Sequence, residues 1–585
     1  MFQKNKKKNA LTFILILLVI SIVIVVITIV HNKYGTVVNV AEPEISSRGA
    51  TLPYVELEAE KGKTNGTVIG PSTALYDQAS EASGRKAVKL DATGQNVKFT
   101  ATRSANSIVV RYSIPDSKDG TGTNSTLSLY VNNEHKQELS LTSKYAWEYG
   151  DYPWTNNPAD GKAHRFYDEI HACIGHIKAG DIITLQKDSS DNATYFLIDL
   201  IDLEDVGAPK EKPSNFLSIE DFGAKANDNI DDTNGVLECI NAAKSKGQGV
   251  WIPRGTFNID SINVSDVTIK GAGMWYSTFT GPLSGFNCMG DNCKFYDFSI
   301  FGETVTRDDS SATDNAFSGC PGKDSVLDNI WVEHKKCGFW VGNAIELTPI
   351  DNLKITNSRF RNLMADGINF CNGTSNSLVE NCNIRYSGDD AIATWSVNTN
   401  SACNNNTFRY NTIQIPWLAS GISIYGGSNH TVEYNAIYDT VTGGSGIYVS
   451  SNFNPKPLSG TITVRNNTLI RCGSNECYTG YAPGAIRVLA YNSDIDKAKI
   501  IISDNDIYNS VLSGISIQGP KAMSNILIKN TRIDGCNSYG IHVDKNAKGT
   551  VSFENVIVKN ASKGGVKNDS NNKLIINKGK GNTDW

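Results

Sequence analysis

The sequence predicts an all-β protein: a right-handed parallel β-helix preceded by a β-sandwich and an N-terminal transmembrane helix. Three observations carry this reading. A motif of glycine, an aliphatic or aromatic residue, a variable residue and a second apolar residue returns at Gly338, Gly367, Gly421, Gly446, Gly514 and Gly540. Ala391 and Ala485 replace the glycine in two repeats, and the intervals through Gly565 are 29, 24, 30, 25, 39, 29, 26 and 25 residues. Ahead of this array, short β-favouring runs alternate with turn residues, and ahead of those lies an uncharged apolar run at residues 10–30.

A repeat of about 25–30 residues made of short strands cannot bury its apolar face alone, whereas stacked coils can. The apolar positions then point inward as columns and the residue between them points outward. Asn411, Asn435, Asn467 and Asn505 fall in turns ahead of the motif, where stacking would make them a hydrogen-bonded ladder. No sustained 3.6-residue period or leucine-repeat signature supports a helical or leucine-rich solenoid.

From the N terminus, Lys4, Lys6, Lys7 and Lys8 precede the run Ala10–Val30. At about 1.5 Å per residue this run spans a bilayer core of roughly 30 Å. The basic flank places the remainder of the chain outside the cell. A cleaved secretory signal, with a small-residue site ending at Ala41, is the alternative; both readings export the chain. Residues 34–52 read as a polar tether. Residues 53–206, with runs such as Ser107–Tyr112, Leu127–Val131, Ile182–Gln186 and Tyr195–Leu200, read as a β-sandwich. Residues 207–216 form a proline-containing linker, and 217–580 the β-helix. The β-helix opens with one amphipathic helix, Asn234–Lys246, carrying Val236, Leu237, Ile240 and Ala243 on one face. Asp232 or Thr233 is its expected N-cap and Gly247 its stop. Such a helix would cap the open end of the solenoid.

Composition narrows function. Lys and Arg total 55 against 60 Asp and Glu, a net charge of −5, which excludes the basic signature of a nucleic-acid binder. Among the 12 cysteines, Cys288 with Cys293 and Cys472 with Cys477 could close local loops or remain buried thiols; none has zinc-site spacing. A monomer is expected.

Chemistry concentrates one position before the repeated glycine. That column reads Cys337, Asp366, Asp390, Ser420, Ser445, Gly484, Ser513, Tyr539 and Gly564. With Asp389, three carboxylates meet across one inter-coil step of about 4.8 Å. Crowded carboxylates repel, which raises at least one pKa and separates acid from base, the division of labour that glycoside hydrolysis needs. The outward column Trp340, Asn369, Ala393, Ser423, Tyr448 and Arg487 would floor a cleft beside them, with Trp395 and Tyr425 just past the same strands. Aromatic faces mixed with amides and hydroxyls suit neutral sugars.

Ala365-Asp-Gly-Ile-Asn369 followed by Gly388-Asp-Asp-Ala-Ile-Ala393 resembles the active-site pattern of hydrolases built on a pectate-lyase-like solenoid. Polygalacturonases carry a similar Gly-Asp-Asp block. Where they have His-Gly and Arg-x-Lys, this chain has Ser420-Gly421 and Ile486-Arg-Val488, so a uronate clamp is incomplete. The closer resemblance, over about Pro53 to Ile576, is to glycoside hydrolase family 87, the α-1,3-glucanases and mycodextranases, with the dextranases of family 49 behind it. It rests also on Arg165-Phe-Tyr-Asp-Glu169 and on the Asp221-Phe-Gly-Ala entry. The resemblance implies inverting hydrolysis of α-1,3-glucan without a catalytic cofactor, Asp389 as general acid, and Asp366 with Asp390 activating water. The sandwich resembles carbohydrate-binding modules of families 6 and 35, and Glu58, Glu60 and Asp199 match the positions that hold a structural calcium there. Its aromatic loop, Trp147, Tyr149, Tyr152 and Trp154, either binds glycan or packs the sandwich onto the β-helix. Two other classes stay in view: a non-catalytic glycan-binding surface protein, and a polysaccharide lyase, for which the cleft offers only Arg487 as a base.

Overall fold

The computed structural model describes residues 39–43, 47–311, 313–342, 350–398, 401–475 and 479–585. The transmembrane run at 10–30 and the first part of the tether lie outside the described residues. Among the described residues no helix is long and apolar enough to cross a membrane.

The N-terminal unit is a sandwich of two antiparallel sheets. One orders Thr67–Ile69, Ala87–Leu90, Phe196–Glu204, Ala105–Ser113 and Asp168–Ile177, with Tyr54–Glu58 also paired to Phe196–Glu204. The other orders Lys63–Thr64, Asn96–Thr100, Ile182–Gln186, Asn124–Val131 and Glu134–Thr142. Ile108, Val110, Ile198 and Ile201 face Leu127, Leu129, Ile183 and Leu185 across the core. A half-solvated sheet should alternate buried and exposed positions. Phe196–Glu204 is instead buried at every position, because its outer face lies on the β-helix.

The second unit is a parallel β-helix with one sheet of 25 short strands and another of 12. The repeated motif builds the 12-stranded sheet in register: Phe339, Ile368, Ile392, Ile422, Ile447, Ile486, Ile515 and Ile541 form one buried column. The glycine before each motif is set by space rather than by backbone angle. A methyl group on Gly338 would lie 2.3 Å from the Phe360 ring and 2.4 Å from the Gly367 carbonyl oxygen, and one on Gly514 2.5 Å from Ile533. None of these glycines has a positive φ.

The asparagines form the expected ladder. Asn411, Asn435, Asn467 and Asn505 are fully buried. The backbone N–H and side-chain amide of each donate at 3.0 Å to the side-chain oxygen of the next. Helix α1 (Thr233–Lys246) covers the first coil with Val236, Cys239, Ile240 and Ala243 buried, and Gly247 ends it in a left-handed conformation. Asp232 occupies the capping position, but the side-chain oxygen that reaches the helix is that of Asp231, 2.9 Å from the Thr233 N–H. Asp232 is already committed to the N–H groups of Lys225 and Asn258.

Residues 39–43 and 47–51 differ from a free tether: they run as a strap across the coils. Thr51 donates to Asn381, Ala50 to Thr412, Gly49 to the Tyr434 carbonyl, Arg48 to Asp506 at 2.6 Å, and Val40 to Asn509 at 2.7 Å. From Thr51 to Arg48 each step toward the N terminus reaches a later coil, and Val40 ends on the same strand as the Arg48 partner, Asp506–Ser510. All 11 described cysteines are free and all but Cys173 are buried, so Cys288 and Cys293 remain thiols; Cys477 lies outside the described residues.

The sandwich docks through Arg165–Glu169, and each of the five residues contacts the β-helix. Arg165 donates to the Asn362 carbonyl at 3.1 Å, Phe166 and Tyr167 pack with Tyr386 and Trp417, and Asp168 pairs with His334 at 2.7 Å. Glu169 meets Arg361 at 3.0 Å and Arg385 at 3.2 Å, while Asp202 meets Arg361 at 3.0 Å and Arg385 at 2.5 Å. Apart from Tyr152 the aromatic loop is packing: Trp147 sits against Phe166 and Trp154 against Trp417, with ring centroids 5.0 and 5.1 Å apart.

Asn435→Ala removes the acceptor for two buried donors of Asn411 and the side-chain donor to the Asn467 oxygen, while the backbone N–H of residue 435 still reaches that oxygen. It should cost about 3 kcal/mol of stability, read as a lower denaturation midpoint, whereas Asn357→Ala, in an exposed ladder with Asp328 and Asn381 on earlier coils, should change it little.

Candidate active site

The axial register brings the aspartates together. Asp366 and Asp390 precede paired strands of adjacent coils, Ile368–Phe370 and Ile392–Trp395. With Asp389 they place one carboxylate oxygen each within 4.8 Å of one another. Gly388 makes this turn possible, since a Cβ there would strike Trp417 at 2.3 Å. Trp417 is itself fixed by donating to the Leu363 carbonyl at 3.1 Å and by Trp154 of the sandwich.

The three carboxyls differ in surroundings. Asp366 is buried and accepts from the Asn369 amide at 3.0 Å. Burial, then the charges of Asp389 and Asp390, push its carboxyl well above the usual range. Asp390 is buried and accepts from the Ser420 N–H at 2.9 Å, the Ser423 hydroxyl at 2.8 Å and the Tyr425 hydroxyl at 2.7 Å. Burial followed by the Asp389 charge lifts it to about 7 against the pull of these donors. Asp389 is the accessible member, with 29% of its side chain exposed, and pairs with Arg307 at 2.9 Å. Arg307 thus already supplies the positive charge that a crowded carboxylate cluster calls for.

The floor column is observed as one row of paired positions: Trp340, Asn369, Ala393, Ser423, Tyr448 and Arg487. Its members divide by exposure. Trp340 and Trp395 are half-buried, with ring centroids 6.4 Å apart at 74°, and keep faces toward the cleft. Tyr425, Tyr448 and Arg487 are buried beneath it. Tyr425 stacks edge-on with Tyr448 at 5.4 Å, and Arg487 lies over Tyr448 at 4.7 Å while donating to Gln518 at 2.8 Å. The loop after strand Ile447–Ser450 covers this half of the floor: Trp395 donates to the Phe453 carbonyl at 3.3 Å, and the exposed Phe453 ring lies 5.1 Å from Tyr425. Tyr425 therefore orders Asp390, and Tyr448 and Arg487 support Tyr425 from below.

Sequence reasoning missed Arg307, Asp309 and Phe453. All three lie in loops outside the repeat, two coils to either side of the aspartate-bearing pair, and no repeat position marks them.

The residues matched to a calcium site divide. Glu58 Oε2 and Glu60 Oε2 are buried without a hydrogen-bond partner. Burial raises both carboxyls, that of Glu58 strongly and with help from Glu56, Asp199 and Glu60. Unpartnered oxygens of this kind fit a hard cation. Asp199 is already engaged, paired with the buried Arg111 and accepting the Ser83 N–H at 2.9 Å. Among the described residues, the aspartate trio alone brings three carboxylate oxygens within 4.8 Å, so Glu58, Glu60 and Asp199 do not converge to that degree.

Carboxyls held protonated near neutrality beside an accessible one, on the open face of stacked coils, are the means of acid–base cleavage of a glycosidic bond. They place the molecule among the β-helical glycoside hydrolases. Family models agree on the kind: α-1,3-glucanase catalytic domain D1 matches residues 51–206 and domain D2 matches 230–585. The chain belongs to this family, glycoside hydrolase family 87. It is similar to the catalytic domain of Agl-KA, at 29% identity over 92% of this chain and 100% of that one, with a TM-score of 0.85. It is similar also to the catalytic unit of a thermostable family 87 α-1,3-glucanase from Streptomyces thermodiastaticus, at 34% identity over 92% and 97%, TM-score 0.83. A family 87 α-1,3-glucanase catalytic domain in complex with nigerose matches at 27% identity over 92% and 100%, TM-score 0.81. A comparison with curated protein sequences gives no match.

A carboxyl whose pKa is higher folded than unfolded costs stability once pH rises through that interval, because the folded state must then carry the charge. Asp390, at about 7, imposes this cost between about pH 4 and 7. Asp390→Asn should leave the melting temperature unchanged at pH 4 and raise it at pH 8, measured by circular dichroism.

Proposed function

We propose that the protein is an inverting glycoside hydrolase that cleaves α-1,3-glucosidic bonds in α-glucan, with Asp366, Asp389 and Asp390 as its catalytic carboxyls. The observation that carries the roles is the unequal exposure of the trio. Asp389 faces the cleft and is the general acid toward the leaving oxygen. Asp366 and Asp390, buried and fixed by Asn369 and by Ser423 with Tyr425, hold and deprotonate the attacking water. For these roles the buried pair must be ionised and Asp389 protonated, so the proton that burial favours on Asp366 or Asp390 has to pass to Asp389, whose carboxylate lies within 4.8 Å.

Carboxyls this close would, in a two-carboxylate enzyme, suit a covalent intermediate rather than water attack. Here a third carboxyl is present, so two of them, Asp366 and Asp390, can hold a water as the attacking group while Asp389 serves the leaving oxygen. Further support comes from relatives bound to nigerose or tetrasaccharides that carry aspartate-to-alanine substitutions at positions 23 and 1 apart. Asp366, Asp389 and Asp390 have the same separations, 389 − 366 = 23 and 390 − 389 = 1. The half-buried rings of Trp340 and Trp395 and the exposed ring of Phe453 supply stacking faces for a neutral glucan.

The apolar run at 10–30 supports export and tethering to the outer face of a membrane. Glu58 and Glu60 are the pair that would hold a structural calcium, neutralising two buried carboxylates. Calcium added to chelator-treated protein should then raise the melting temperature by several degrees and Glu60→Gln should remove the gain; an unchanged melting curve would discard the site.

Asp389→Asn, with folding verified by circular dichroism, should abolish reducing-sugar release from insoluble α-1,3-glucan. On a panel with nigeran, dextran and polygalacturonate, the wild type should release sugar from the α-1,3-linked substrates and not from polygalacturonate. Proton NMR of the first product should show the inverted anomer; the retained anomer would contradict the water mechanism.

A further inference from the structure

The sandwich reaches the Arg307–Asp309 segment at the rim of the catalytic cleft through Tyr152. Tyr152, at the tip of the aromatic loop, is 51% exposed while its neighbours Tyr149 and Trp154 are buried. Its hydroxyl donates to Asp309, in the loop that follows strand Cys293–Phe301 of the β-helix. The other Asp309 oxygen accepts from Arg307 Nε at 2.8 Å, and the Arg307 guanidinium lies 5.5 Å from the centre of the Tyr152 ring. Arg307 Nη1 in turn reaches the Asp389 carboxylate at 2.9 Å and donates to the Gly388 carbonyl at 3.2 Å.

We propose that Arg307 is a positioning residue for the general acid, held in place by Asp309 and by Tyr152 from the sandwich, so that the N-terminal unit completes the active site. The proposal rests on the reading of Asp389 as the acid. The guanidinium lies between two carboxylates. When Asp389 carries its proton, Asp309 and the Gly388 carbonyl keep Arg307 aligned. When Asp389 gives that proton to the glycosidic oxygen, the C–O bond to the leaving sugar breaks, water adds its oxygen to the anomeric carbon, and the proton of that water passes to Asp366 or Asp390. The carboxylate then left on Asp389 forms against a cation already in place, which favours the transfer. Lys336 holds the same loop through the carbonyls of Asp308 and Ser311, and Tyr152 adds the bond that fixes the Asp309 side chain itself.

Other charged groups face this pair. Asp366 and Asp390 approach Asp389 from the coils, and Cys337 lies beside Arg307 and Asp366. Lys336 and Asp314, paired at 3.1 Å, flank Asp309. Arg307 is the one cation of the described residues paired directly with the trio, so its loss leaves the three carboxylates without a counter-charge in contact.

The test is kinetic, on the full chain with α-1,3-glucan oligosaccharides. Arg307→Gln should lower kcat by about 10²-fold, a typical acid–base contribution, with KM within about threefold because substrate binding is untouched. Loss of the cation disfavours the ionised carboxyls, so both limbs of the pH–rate profile should move to higher pH by about one unit. Arg307→Lys, which keeps the charge, should restore the profile and part of kcat. Tyr152→Phe should lower kcat by about threefold to tenfold and shift the profile the same way by less. It also covers the case in which Arg307→Gln fails to fold. Wild-type kcat and an unmoved profile in Tyr152→Phe and Arg307→Gln would overturn the relay while leaving the hydrolase reading intact. A wild type silent on α-1,3-glucan would overturn both.

Discussion

In-register pairing of parallel coils is the constraint on which the structure depends. Every backbone ladder bond fixes a residue of one coil beside its counterpart in the next, at about 4.8 Å. Like residues are therefore forced into contact whether or not they attract. Where they are isoleucines the result is a dry interior column. Where they are asparagines, each amide finds the next and the buried polar turn is satisfied. Where they are aspartates the same register imposes repulsion, and the crowding that would weaken an ordinary fold becomes the source of shifted acidity at the cleft.

The junction between the two units follows different rules. Arg361 and Arg385 of the β-helix are buried without exposure and meet Glu169 and Asp202 of the sandwich. Buried ion pairs gain little net stability over apolar packing, because the charges must first leave water. They do fix orientation, since each misalignment strands a charge. That property matters here because the sandwich presents Trp154 to Trp417 beneath the Gly388 turn and Tyr152 to Asp309 at its rim. An apolar seam could slide by an ångström; this one is indexed by its charges.

What was legible in the sequence is what repeats. The glycine motif placed the strands, the asparagines placed the ladder, and alignment on the glycine brought Asp366, Asp389 and Asp390 into one group. The outward column was also legible, but its exposure was not. Period gives the direction of a side chain and cannot show that the loop bearing Phe453 lies over Tyr425 and Tyr448. Arg307 and Asp309 were hidden for the same reason, since loop insertions carry no register. The role of Arg165–Glu169 needed the opposite face of the contact to become visible. Asp199 matched a calcium position in sequence, yet Arg111, on the neighbouring strand Ala105–Ser113, already occupies its carboxylate.

The strap formed by residues 39–43 and 47–51 has a mechanical consequence. Its bonds are spread along the stack, from Asn381 near its C-terminal end to Asn509 near its N-terminal end. A pull along the axis loads them together in shear, whereas a pull away from the surface opens them singly, as a zip. The chain thus has a stiff direction and a compliant one, and the angle at which force arrives decides whether the coils bear it or the strap peels first.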